Sequence, residues 1–237
     1  EPQPLLGPFP SGAPAIFIDQ VGRLGTPAAI VSRVGDDDFG RLNLDRLAAD
    51  GVDVSGIDVA NGEATGSAFV RYRRDGSRAF VYNIIHSATG KLVLTPDAEA
   101  LIESCDHIHV MGTALAASGL AKVAREAITR IKSRGGTLSF DRNLRPEILK
   151  TPGLREALDE VLAQSDLFLP SGEEIYLFTE ANNEAAAVKE LLDRGVGDIV
   201  CMSTNWVPIP GQDPRREAMA NILCMAAAHS NSLFIAA

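Results

Sequence analysis

Successive apolar runs alternating with amphipathic stretches, beginning near Ser104, constrain this chain more than any other feature. His107-Ile108-His109-Val110-Met111 reads as a strand. Leu120 to Ser133 reads as a helix with Val123, Ala124, Ala127, Ile128 and Ile131 on one face, and Thr137 to Phe140 as the next strand. The cycle then recurs: helix Leu154 to Leu162, strand Leu167-Phe168-Leu169, helix Glu184 to Leu192, strand Ile199-Val200-Cys201. Right-handed crossovers of this kind make a parallel sheet covered by helices on both faces, so the fold class is α/β.

Parallel strands share a carboxyl edge, which is where ligands bind in such sheets. Gly112-Thr113, Asp141-Asn143-Arg145 and Ser171-Gly172-Glu173-Glu174 are therefore expected on one rim. Arg forks onto oxyanions, carboxylates hold metal-bound waters, and glycine turns let backbone N–H groups approach phosphate. That inventory suits a phosphorylated ligand with Mg²⁺. Asp141 and Asn143 equally suit a plain capping turn, with Pro146 ending any continuation of the strand. Neither a G-x-G-x-x-G run after a first strand nor a Walker A loop occurs.

The first half of the chain is organised differently. Pro10-Ser11-Gly12-Ala13-Pro14 feeds a helix over Ala15 to Leu24, followed by a short buried strand, Ala28 to Val31. Asp36-Asp37-Asp38 precedes Leu42, Leu44, Leu47 and Ala48 at helical spacing, so capping and the helix dipole explain these aspartates better than a metal does. That second helix ends at Gly51. Between Ala64 and Ala88 the period drops to two, with Ala68, Val70 and Tyr72, a turn at Asp75-Gly76, then Ala79, Val81 and Asn83. A hairpin inserted into a βα chain covers a site, blunts a sheet edge or pairs with a second copy. His107 and His109 share a strand face, which is read as structural because no third ligand stands nearby.

The 237 residues, 46% of them hydrophobic, suffice for one large α/β domain or two small ones. A net charge of −9 argues against a general nucleic-acid binder. Cys105, Cys201 and Cys224, odd in number and without C-x-x-C pairing, fit a reducing compartment, so a cytoplasmic location is expected. The apolar tail from Ala218 to Ala237 is broken by Asn221, His229, Ser230 and Asn231, no apolar run has membrane-spanning length, and no signal peptide is evident. The chain opens on Glu1-Pro2 rather than Met, so its native amino terminus is expected to lie upstream.

Six segments together resemble the PfkB, or ribokinase-like, family of carbohydrate kinases. They are Pro10 to Ala15 with Val21-Gly22-Arg23-Leu24-Gly25; Val34 to Gly40; Leu47 with Gly51-Val52-Asp53; His109 to Gly112; Phe140 to Pro146; and Leu169 to Glu174, in the family's order over roughly residues 5 to 202. The Asp-x-Asn-x-Arg variant looks closest to 2-keto-3-deoxygluconate kinases and fructokinase-like members. The resemblance implies one ribokinase-like domain over residues 1–237, a three-layer α/β/α sandwich with a small β-sheet lid. That lid would comprise about residues 64–88 and the loop of about 5–14. It implies an ATP- and Mg²⁺-dependent kinase that phosphorylates a hydroxyl of a sugar or sugar acid and dimerises through the lid.

By the same resemblance, Ser11, Gly12 and Ala13 match the positions that bind sugar hydroxyls, and Val70, Val81 and Asn83 lie in the lid. Asp141 and Asn143 stand near the substrate, and Arg145 near the transferring phosphate. Ser171 and Glu174 match a nucleotide-site motif whose Glu organises Mg²⁺ through water. There are departures. Ile16 and Ser171 each stand where Asn is usual, and the lid offers Asn83 where ketodeoxygluconate kinases tend to have Arg. The glycine-rich stretch ending in the catalytic Asp has no counterpart, since Asp213-Pro214 runs into Arg215-Arg216-Glu217. A glycine turn expected after Val200 and the opening strand are missing too. These gaps suggest ordered stretches of a longer chain; the rival is a catalytically impaired homologue that binds sugar in a regulatory role.

Overall fold

The computed structural model describes residues 7–73, 78–144, 150–170 and 172–199. Helix α1 (Ala13–Arg23) starts at Gly12, whose φ of 102° lies in a region that L side chains avoid, and Pro14 occupies the first turn, where no amide hydrogen is needed. Of the strand expected over 28–31 only β1 (Ala28–Ala29) forms, and β2 (Ser32–Gly35) follows beyond the expected span. Helix α2 (Asp38–Ala49) returns the chain to β3 (Val52–Asp53) and β4 (Ile57–Ala60), which pair in parallel with β1 and β2. These two return strands are too short, and too broken by Gly51 and Gly56, to show a period in sequence. Val34, Leu47, Val52 and Ile57 form the small core of this half.

The three aspartates do as the capping argument predicts. Asp37 is the N-cap of α2 and accepts from the Gly40 N–H at 2.8 Å, while Asp36 and Asp38 both accept from the Arg41 guanidinium. Among the described residues no three His, Cys, Asp or Glu side chains are grouped as a metal site.

A hairpin follows, β5 (Ser67–Tyr72) antiparallel to β6 (Arg78–Asn83). The expected Asp75-Gly76 turn lies outside the described residues. Helix α3 (Pro96–Ser104) was not foreseen from periodicity, although Thr95 caps it by accepting from the Ala98 N–H and Pro96 opens it.

The regular alternation is realised as expected, while Val200 and Cys201 of the last expected strand lie outside the described residues. Strand β7 (His107–Met111), helix α4 (Ser118–Ser133), β8 (Thr137–Asp141), α5 (Leu154–Leu162), β9 (Leu167–Phe168), α6 (Glu184–Asp193) and β10 (Asp198–Ile199) build an all-parallel sheet in the order β10-β9-β8-β7. One sheet face carries Val110, Leu138, Phe140 and Phe168 into the main core, with Ile128 from α4 and Leu154, Leu158, Val161 and Leu162 from α5. Each such buried side chain contributes about 1.5–3 kcal/mol over its exposed state, so this core dominates what holds the rim of the sheet in place. No helix among the described residues is long and apolar enough to cross a membrane.

The opposite face of β7 and β8 is polar. His107 is hydrogen-bonded through Nδ1 to Thr137 Oγ1 at 2.7 Å and through Nε2 to Ser139 Oγ at 2.8 Å, and His109 Nδ1 meets the same Ser139 hydroxyl at 2.7 Å. Both nitrogens of His107 are thus held by the sheet, whereas His109 is held through Nδ1 and its Nε2 is buried without a hydrogen-bond partner among the described residues.

Candidate functional site

The parallel register delivers three strand ends to one edge. Met111 stands beside Asp141, Phe140 beside Phe168, and the Leu169 N–H reaches the Phe140 carbonyl at 2.9 Å. Gly112 leaves β7 so close to the next strand end that a Cβ there would lie 2.3 Å from the Arg142 carbonyl oxygen and 2.9 Å from Leu158 Cδ2. Only glycine permits that approach.

Asp141, Asn143 and the residue between them play three different parts. Asp141 ends β8 and its Oδ1 accepts from the Asn143 N–H at 3.0 Å, an Asx turn. Asn143 has φ 33°, a left-handed conformation for which Asn is the best tolerated side chain after Gly. The turn role expected of these two residues is thus met by both. Arg142, passed over in sequence, is buried, with its guanidinium carbon 4.8 Å above the Phe178 ring. Phe178 ends the helical turn Gly172–Phe178, so Arg142 fastens the exit of β8 to the segment that contains Glu174. An arginine between two polar turn residues gives no sequence sign of being buried. Arg145 and Ser171 lie outside the described residues, as does the Glu174 side chain.

Ser11 and Gly12 are exposed at the start of α1 and Ala13 is half-buried. Amides of a helix's first turn have no intrahelical acceptor and carry partial positive charge, which suits ligand hydroxyls or anions. Phe17, about one and a half turns further on, stacks on His109 with ring centroids 3.8 Å apart. That contact seats α1 against the polar face of the strand that ends at Met111-Gly112. Burial drives the His109 pKa down to about 3, with the neighbouring His107 adding to the effect.

The hairpin separates residues that the sequence grouped. Val70 pairs with Phe80 and Ala68 with Tyr82, so these four share a face on which the Phe80 and Tyr82 rings stack 5.4 Å apart. Val81 pairs with Phe69 and Asn83 with Ser67 on the other face. Val70, Val81 and Asn83 therefore do not line one surface, because period two sends adjacent residues to opposite sides. Phe80 and Tyr82 are half-buried, whereas Phe69 and Val81 are 53% and 68% exposed. Val70 on the first face is 40% exposed, so the lower exposure on that side is that of the two stacked rings, which cover each other. These two aromatic rings were missed because the face could be chosen only once the register was known.

Residues 9–204 match the family described as "pfkB family carbohydrate kinase". The chain belongs to this family. Its fold is the ribokinase-like α/β fold: the chain superposes on the crystal structure of a putative Ribokinase II from E. coli, in complex with ATP and Mg²⁺, with a TM-score of 0.79 and 41% identity, covering 90% of this chain and 73% of that one. A fructokinase from Klebsiella pneumoniae is 32% identical over 183 residues, 77% of this chain and 59% of the relative. Probable fructokinase-3 from Arabidopsis thaliana is 34% identical over 176 residues, 72% of this chain and 50% of the relative. The chain thus spans between half and three-fifths of the length of these curated PfkB relatives.

Proposed function

We propose that the protein is an ATP- and Mg²⁺-dependent sugar kinase that transfers the γ-phosphoryl group to a hydroxyl of a neutral ketohexose such as fructose. The observation that carries this reading is the convergence of the β7, β8 and β9 ends on one rim, in a chain of the PfkB family whose curated relatives are fructokinases. The fructokinases among the curated relatives favour fructose over 2-keto-3-deoxygluconate as the acceptor.

Each residue has an assigned part. Ser11, Gly12 and Ala13 hold sugar hydroxyls at the start of α1. Val70, with Phe80 and Tyr82, closes over the sugar and keeps water from competing as phosphoryl acceptor. Asp141 and Asn143 shape the rim, and Arg145 neutralises charge on the transferring phosphoryl group. Ser171 contacts the nucleotide, and Glu174 orders the waters of Mg²⁺. Mg²⁺ keeps most of its waters and needs few protein carboxylates. When bound, the ion neutralises phosphate charge; the protein supplies orientation and exclusion of water.

Val81, Phe69 and Asn83 form the outward face, and we assign to it the lid of a second copy, giving a homodimer. Three widely spaced cysteines suit a reducing environment, so the enzyme is placed in the cytoplasm.

The test is ADP release by the full chain with ATP, Mg²⁺ and, in turn, D-fructose, D-ribose and 2-keto-3-deoxygluconate. Fructose-dependent turnover supports the reading. Since Asp213-Pro214-Arg215 lacks the glycine turn and trailing Asp of the family pattern, thermal stabilisation by a sugar without any turnover would sink it in favour of a sugar-binding role.

A further inference from the structure

Asp37 was explained above as a helix cap, but that accounts for only part of its carboxylate. One oxygen accepts from the Gly40 N–H and also from the Thr65 hydroxyl at 2.6 Å, and the other accepts from the Thr65 N–H at 2.8 Å. Thr65 lies 28 residues away, two positions before β5 begins. Its hydroxyl, while donating to Asp37, also accepts from the Gly35 N–H at 2.9 Å. Thr65 is buried, and the backbone around it is packed to the limit. A Cβ on Gly35 would lie 2.1 Å from the Glu63 carbonyl oxygen, and one on Gly40 would lie 3.1 Å from Thr65 Oγ1. Two glycines and one carboxylate thus form a socket for the first root of the hairpin.

The second root is tied to the first and to the same strand. The Ala88 N–H donates to the Ala64 carbonyl at 2.9 Å, and the Thr89 hydroxyl donates to the Arg33 carbonyl at 2.8 Å. Beyond these roots β5 and β6 pair, among the described residues, with each other alone. A two-stranded ribbon is marginal by itself, so its attitude toward the body depends on how its roots are gripped.

We infer that Asp37 is a positioning residue for the lid: through Thr65 it fixes the angle at which β5 and β6 stand over the sugar site. Its consequence for turnover rests on the sugar-kinase reading; the latch itself does not. Asn is as good an N-cap as Asp, so Asp37→Asn preserves the Gly40 and Thr65 hydroxyl bonds to Oδ1 while turning an amide donor toward the Thr65 N–H. Thr65→Val deletes the hydroxyl, and Thr65→Ser keeps it.

Hydrogen exchange on the full chain separates the two roles of Asp37. In Asp37→Asn and Thr65→Val, amides of 67–73 and 78–83 are expected to exchange about tenfold faster, with α2 and α4 unchanged and Thr65→Ser like the wild type. With D-fructose as substrate, KM for the sugar should rise about tenfold at unchanged KM for ATP. Acceleration spread equally over α2, α4 and the lid, or no acceleration in the lid, overturns the inference. If the wild type turns over no D-fructose yet the exchange pattern is found, the latch stands and the kinase reading falls.

Discussion

Phe17 and His109 lie face to face, with centroids 3.8 Å apart and planes within 8° of parallel. Through them α1, which presents Gly12 and Ala13, is seated on β7, the strand that ends at the rim. Burial keeps this imidazole uncharged by lowering the His109 pKa to about 3.

This has a consequence for pH. The unfolded chain binds a proton on His109 near the ordinary value of 6.5, while the folded chain does so only near 3. The unfolded state therefore holds more protons between these values, and stability falls as pH falls through that window. At pH 5 the loss from this residue is about 2 kcal/mol. Asp166, whose pKa is lowered from 3.8 by Lys132 and the Leu138 N–H against the opposing effect of burial, loses its contribution in a more acidic range. Urea unfolding at pH 7 and pH 5 should show a smaller drop for His109→Phe than for the wild type. Equal drops would remove His109 as the cause.

How much of this was legible in the sequence depends on the range of each interaction. Helix α5 and strand β7 were read to the residue because a long, strongly periodic run in an α/β alternation leaves little choice. β3 and β4, two and four residues long, exist only because β1 and β2 offer them a parallel edge, and no local pattern announces that. The same holds at the site. The cap position of Gly12 and the turn at Asp141 could be read from local chemistry. The burial of Arg142 against Phe178, and the division of Val70 from Val81, depend on partners ten to thirty-six residues away.

Gly112→Ala tests the close approach at the rim. The new methyl meets the Arg142 carbonyl at 2.3 Å and Leu158 at 2.9 Å, and backbone cannot swing aside as a side-chain tip can. The ends of β7 and β8 must part, at a cost of about 1–3 kcal/mol. Denaturant midpoints should fall accordingly, and fructose-dependent turnover should fall with them. A fully stable, fully active variant would show that the two strand ends are not held as described.

Asn143 tests the turn itself. Its φ of 33° is open to Gly and hostile to β-branched residues, so Asn143→Val should cost about 1–3 kcal/mol. Asn143→Gly, by contrast, should stay within about 0.5 kcal/mol of the wild type. Asp141→Ala removes the acceptor for the Asn143 N–H and should cost about 0.5–1.5 kcal/mol. If Asn143→Gly keeps stability but loses turnover, the amide contacts substrate in addition to shaping the backbone.

The two faces of the hairpin should respond differently to substitution. Tyr82 stacks on Phe80 on the half-buried face, so Tyr82→Ser removes apolar cover from the proposed sugar site. KM for D-fructose should rise at least about tenfold, by loss of roughly 1.4 kcal/mol or more of binding. Val81 is 68% exposed on the other face, where Val81→Asp places a charge in the proposed contact with a second copy. Sedimentation should then show a lighter species, with sugar KM little changed when assayed above the dissociation constant of the wild-type dimer. The reverse pattern, a dimer lost with Tyr82→Ser and a sugar defect with Val81→Asp, would mean that the lid presents its Phe69 and Val81 face to the cleft, against the proposed assignment of the two sides.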